Sequence, residues 1–127
     1  MESKTVGPGR RLLVVEDEPQ VRALLAEGLA DEGFEVTLAR SGDEAAGLVD
    51  HPDLFDLLLT DVNMPGRLGG LGLAARARVG NPNLPIVVVT GGPELELGVF
   101  ALQPRCELVL KPFRLSAIVS ALARVSV

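Results

Sequence analysis

Tryptophan and tyrosine are absent, and phenylalanine occurs only four times in 127 residues. Proteins that bind single-stranded nucleic acid stack bases on aromatic rings, so this composition argues against such a platform. Lysine and arginine total 12 against 17 acidic residues, a net charge of -5, and no basic cluster interleaved with aromatics occurs. Direct nucleic-acid binding by this chain is therefore not expected. A single cysteine, Cys106, excludes an intramolecular disulfide and fits a reducing, cytoplasmic setting. No stretch approaches the roughly 20 apolar residues of a membrane span. The opening Met1-Glu2-Ser3-Lys4 lacks the apolar segment of a secretory signal. What the chain does have is apolar content: at 47% hydrophobic residues it can bury a core, and its length suits one ordinary domain.

The apolar residues fall into a strand–helix rhythm. Residues 1–9, with Gly7-Pro8-Gly9, read as a flexible tail, and 10–127 as the domain. Leu12–Val15 is a continuous apolar run, the pattern of a strand covered on both faces. Pro19 suits the first turn of a helix, Val21, Leu24, Leu25, Ala26 and Leu29 recur at helical spacing, and Gly33 offers a stop. Glu35–Ala39 alternates as a strand, and Ser41 with Glu44 forms a capping-box pattern opening a helix over 42–50. Further strands are expected at Phe55–Thr60, Ile86–Val89 and Glu107–Leu110. Further helices are expected over 71–79, 94–103 and Arg114–Val125. Five strands alternating with five helices predict a doubly wound α/β fold, a parallel sheet with helices on both faces. In such sheets ligands sit at the carboxyl ends of strands. Four strand ends are polar there: Glu16-Asp17, Asp61, Thr90 and Lys111.

Two carboxylates about 4 Å apart repel by roughly 4 kcal/mol at an effective dielectric near 20. Gathering Glu16, Asp17 and Asp61 therefore calls for cations. Lys111 offsets one charge, and a divalent ion would offset the rest. An all-oxygen site without His or Cys suits Mg²⁺ and disfavours zinc. An aspartate beside such charges can act as a nucleophile towards phosphorus. Thr90 supplies a hydroxyl for a phosphoryl oxygen, and Gly91 leaves backbone room for it.

At these residues the chain resembles the receiver domains of two-component response regulators. The matching stretches are Leu13-Val14-Val15-Glu16-Asp17-Glu18-Pro19, Asp61-Val62-Asn63-Met64-Pro65-Gly66, Val88-Val89-Thr90-Gly91 and Leu110-Lys111-Pro112-Phe113. Their order and spacing make the signal specific, and it covers nearly everything but the tail. The resemblance implies a flavodoxin-like five-stranded sheet in the order 2-1-3-4-5. It implies that Asp61 accepts phosphate from a histidine kinase or histidine phosphotransfer protein. Asp17, Asp61 and the Asn63 carbonyl would hold Mg²⁺ directly, with Glu16 acting through water. Lys111 would contact the phosphoryl group, Lys111-Pro112 would be cis, and Thr90 would be the switch hydroxyl. By the same analogy the first helix, through Val21 and Leu25, would be the docking edge. Homodimers would form through the fourth helix, fifth strand and fifth helix.

Three departures stand out. Leu108 replaces the Tyr or Phe often found before the lysine. The loop after Met64-Pro65 is one residue longer than the common form, with Gly69 for the usual Asp or Asn, which resembles receivers working with hybrid histidine kinases. Glu16 stands for the commoner Asp. The expected role is a signalling phosphoacceptor rather than an enzyme, at most with self-phosphorylation and self-dephosphorylation. No DNA-binding or catalytic output domain is expected within the chain, so its output would be a contact with a downstream protein, a relay or a phosphate sink. The rival reading is a receiver-like interaction module that never uses phosphate. An aspartyl-phosphate phosphatase would instead want an aspartate where Asn63 stands. A flavin site would want a Ser/Thr/Gly-rich loop where Glu16-Asp17-Glu18-Pro19 stands.

Overall fold

The computed structural model describes residues 9–64, 66, 68–91 and 102–126. It contains β1 (Arg11–Val15), α1 (Pro19–Asp31), β2 (Glu35–Ala39), α2 (Gly42–Val49), β3 (Leu57–Asp61), α3 (Gly70–Gly80), β4 (Ile86–Thr90), β5 (Cys106–Leu110) and α4 (Leu115–Val125). All strand pairings are parallel, in the order β2-β1-β3-β4-β5. The expected sheet is thus the observed one. The helix expected over 94–103 and the tail over 1–8 lie outside the described residues, apart from Leu102 and Gln103. No helix among the described residues is long and apolar enough to cross a membrane.

Alternation along the strands builds two cores. Leu13, Val15, Leu58, Ile86, Val88 and Cys106 face α2 and α3, meeting Ala45, Val49, Leu73, Ala74 and Ala77. Leu12, Val14, Leu57, Leu59, Val87, Val89 and Val109 face the other way, onto Leu25 and Leu29 of α1 and Ile118, Ala121 and Leu122 of α4. β3 and β4 are buried along their whole length, as strands covered on both sides must be. β2, at the edge, buries only Ala39.

Helix α1 corrects one expectation. Leu25 is 2% exposed and packs into the core, so it offers nothing to a docking partner, while Leu24 is 54% exposed. The helical period puts Leu25 and Leu29 on the sheet-facing side, and a step of one residue swings Leu24 outward. Val21 is half-buried against the same core. The helix closes as sequence suggested. Gly33 adopts φ 100°, Phe34 N donates to Leu29 O and Gly33 N donates to Ala30 O, which satisfies the final carbonyls.

Ser41 caps α2: its Oγ accepts from Glu44 N at 3.0 Å. Glu44 in turn accepts from Arg40 N at 2.7 Å, one residue before the position the capping box assigns. Ser41→Ala will cost about 1 kcal/mol, read as a lower urea midpoint with unchanged slope.

Cys106 is buried, and burial pushes its thiol up to about 11, with Arg78 pulling it back slightly. The unfolded thiol ionises near 9.0 and the folded one near 11, so the unfolded chain holds fewer protons in between. Stability from this group is therefore intact below pH 9 and lost as pH rises towards 11. At pH 8 iodoacetamide will label Cys106 in urea but not in the folded protein; equal labelling in both would show the thiol to be open.

Candidate functional site

Strand register brings the polar strand ends to one edge. Leu12–Val15 pairs with Leu57–Thr60, which sets Glu16 and Asp17 beside Asp61. Asp61 pairs with Val89 and Thr90 with Leu110, which brings Thr90 and Lys111 alongside. One carboxylate oxygen each from Glu16, Asp17 and Asp61 lies within 4.8 Å of the others. Lys111 Nζ donates to Asp61 Oδ2 at 2.6 Å. Asn63 N donates to Asp61 Oδ1 at 3.0 Å. Both oxygens of Asp61 are therefore held, and the residue is only 3% exposed.

Thr90 is fully buried at the end of β4, and its carbonyl accepts from Lys111 N at 2.8 Å. The Lys111-Pro112 peptide is cis. Among the described residues, no atom lies within 4 Å of where a Cβ on Gly91 would stand. Leu108 is half-buried and packs against the α2/α3 core, so its contact there is internal.

The electrostatics match the geometry. Burial pushes Glu16 up to about 7; the Glu18 N–H, donating at 3.1 Å, pulls it down, the Asp61 charge raises it and Lys111 lowers it. For Lys111, burial disfavours the charge, but the Asp61 hydrogen bond and the charges of Asp61, Glu16 and Glu18 outweigh it, and its pKa rises. Among the described residues the pocket thus holds three carboxylates against one cation in direct contact, Lys111. Among those residues its donors are oxygens only, and the Glu16 carboxylate is pushed towards neutrality by burial first and by the Asp61 charge after it. That donor set fits Mg²⁺.

Three contributors escaped the sequence reading. Arg22, in the first turns of α1, donates through Nη1 to Glu16 O at 2.9 Å and Asp17 O at 3.4 Å. Its signal was a cation near a helix N-terminus, where the dipole disfavours it. Gly70 opens α3 so tightly against β3 that a Cβ would overlap the Asp61 carbonyl oxygen. The bare Gly69-Gly70 step without a capping side chain was its only trace. Arg78 binds the carbonyls of Leu84, Leu102, Pro104 and Arg105 at 2.7–3.1 Å, tying α3 to the approach of β5; nothing in the sequence marked it.

Known proteins resemble this chain over most of its length. The family model described as response regulator receiver domain matches residues 12–123. The response regulator receiver protein CpdR of Brucella abortus is 36% identical over 117 residues, covering 91% of this chain and 95% of CpdR. The transcriptional regulatory protein TcrA of Mycobacterium tuberculosis is 34% identical over 129 residues; the match covers 94% of this chain but only 50% of TcrA. A response regulator receiver protein from Sinorhizobium medicae superposes with a TM-score of 0.84 at 27% identity, covering 93% of this chain and 94% of that one. Chemotaxis protein CheY4 of Vibrio cholerae gives 0.81 at 28% identity, covering 92% and 98%.

Proposed function

This chain belongs to the response regulator receiver domain family of two-component signalling, and from that premise we propose that Asp61 is its phosphoacceptor. The observation that carries the reading is the juxtaposition of a buried, doubly held Asp61 with Lys111 at 2.6 Å and the carboxylates of Glu16 and Asp17. A phosphohistidine of a sensor kinase or histidine phosphotransfer protein is the donor. A carboxylate oxygen of Asp61 attacks phosphorus, the P–N bond breaks, its electron pair returns to the imidazole, and an acyl phosphate forms.

Each neighbour has a task. Asp17, Asp61 and the Asn63 carbonyl would hold Mg²⁺, with Glu16 acting through water, and an ion held there would supply positive charge against the phosphoryl oxygens. Lys111 transfers its hydrogen bond from Asp61 to a phosphoryl oxygen, and the Thr90 hydroxyl donates to another. Leu110, 52% exposed at the end of β5, supports reading the surface around that strand as the output face, for a protein contact, a relay or a phosphate sink.

Incubation with acetyl phosphate and Mg²⁺ tests this directly. Intact mass should rise by one phosphoryl group, hydroxylamine should remove it, and peptide mapping after borohydride reduction should place it at Asp61. No gain, or a hydroxylamine-stable gain on a serine or threonine, would end the reading and favour the module that never uses phosphate.

A further inference from the structure

We infer that Arg22 is a positioning residue for the Mg²⁺ site: it shapes the ligand set by binding backbone oxygens and leaving the carboxylates to the ion. The inference rests on the phosphoacceptor reading above. Glu16, Asp17 and Glu18 form a short connection between the end of β1 and Pro19, the first residue of α1. Glu18 occupies the cap position without a side-chain cap bond, so the usual lock of a helix start is missing. Three other bonds replace it. Glu18 N donates to Glu16 Oε2 at 3.1 Å, and Arg22 Nη1 reaches back over one helical turn to the carbonyls of Glu16 and Asp17.

A guanidinium on an acidic loop would ordinarily bind a carboxylate in a two-pronged pair. Here Nη1 goes to neutral carbonyl oxygens. The consequence is geometric. With both carbonyls held by Arg22, the peptide planes flanking Asp17 are fixed while the Glu16 and Asp17 carboxylate oxygens gather with that of Asp61. Lys111 already occupies Asp61 Oδ2. A second cation on a carboxylate would remove a ligand atom from the site, and Arg22 does not. Partners of this kind, outside the ligands themselves, change metal affinity by roughly 10–100-fold when removed.

Charge and geometry make opposite forecasts, which allows a clean test. If Arg22 acted only as a nearby positive charge, its removal would tighten Mg²⁺ binding. If it positions the loop, removal will weaken binding. Mg²⁺ titration of the full chain, followed by isothermal calorimetry and by amide shifts of Val62 and Asn63, is compared for the parent, Arg22→Met and Arg22→Lys. Arg22→Met keeps the aliphatic stem and loses the donor, and its Mg²⁺ dissociation constant should rise roughly tenfold or more. Arg22→Lys keeps the charge and one donor and should fall between.

Phosphoryl uptake from acetyl phosphate by Arg22→Met should recover towards the parent rate as Mg²⁺ is raised to saturation. Unchanged or tighter binding in Arg22→Met overturns the inference, as does a uniform loss of uptake that saturating Mg²⁺ does not relieve. Should Arg22→Met fail to fold by circular dichroism, the lysine variant decides alone: parent-like affinity there sinks the idea. A parent chain that neither binds Mg²⁺ nor takes up phosphate would defeat the phosphoacceptor reading instead, a distinct result.

Discussion

Asp61→Asn will take up no phosphoryl group from acetyl phosphate and Mg²⁺ under conditions that load the parent chain. An amide oxygen is too weak a nucleophile to form the acyl phosphate, so the loss is complete rather than partial. The variant also disturbs the pocket in a calculable way. Asp61 accepts two bonds, from Asn63 N at Oδ1 and from Lys111 Nζ at Oδ2. An asparagine has one acceptor oxygen, so it can serve one donor and must turn its NH₂ towards the other. Keeping the Lys111 bond leaves the Asn63 N–H facing a donor, and the reverse leaves an ammonium facing one. Removing a carboxylate relieves repulsion with Glu16 and Asp17, so the fold should survive. Mg²⁺ affinity should fall, because one anionic ligand is gone. Intact-mass measurement reads the first effect and calorimetric titration the second. Parent-like mass gain in Asp61→Asn would move the acceptor elsewhere.

Gly70→Ala should destabilise the domain by about 3 kcal/mol, at the upper end of overpacking costs. Helix propensity alone favours the change by about 1 kcal/mol, so the expected sign rests on sterics. An added Cβ would overlap the Asp61 carbonyl oxygen and lie 2.8 Å from both Asp61 C and Val62 Cα. These are backbone atoms, so no side-chain rotation relieves the clash; either α3 lifts or the end of β3 shifts. Gly70 N also donates to Val62 O at 3.1 Å, a bond that any lift would stretch. Because Asp61 sits at the displaced point, Mg²⁺ affinity should fall with stability. Gly47→Ala is the matched control. Gly47 is an exposed α2 residue whose Cβ would meet nothing within 4 Å, so that variant should gain about 0.5–1 kcal/mol. Urea midpoints at constant slope compare the two; equal shifts would show that the α3–β3 approach is not tight.

Strand runs were the most readable part of this chain. Leu12–Val15 and Ile86–Val89 are apolar at every position because both faces are covered. The acidic, aspartate and lysine strand ends were equally plain, since a parallel sheet delivers strand ends to one edge. Docking through Leu25 was misjudged because helical spacing identifies an apolar stripe without saying that the sheet takes all of it. The roles of Arg22, Gly70 and Arg78 were hard to read for a different reason: each acts on backbone carbonyls or backbone volume, and no residue-type pattern records where a distant carbonyl lies.

Composition and order alone determined that this chain would be a parallel α/β domain with carboxylates and a lysine at its strand ends, because periodicity and strand-end chemistry are local properties. Only the tertiary structure decided that both Asp61 oxygens are held, that Glu16 is buried enough to titrate near 7, and that the acidic loop is secured by a guanidinium on its carbonyls. Those depend on distances between segments far apart in the chain, which follow from how the whole sheet and its helices pack.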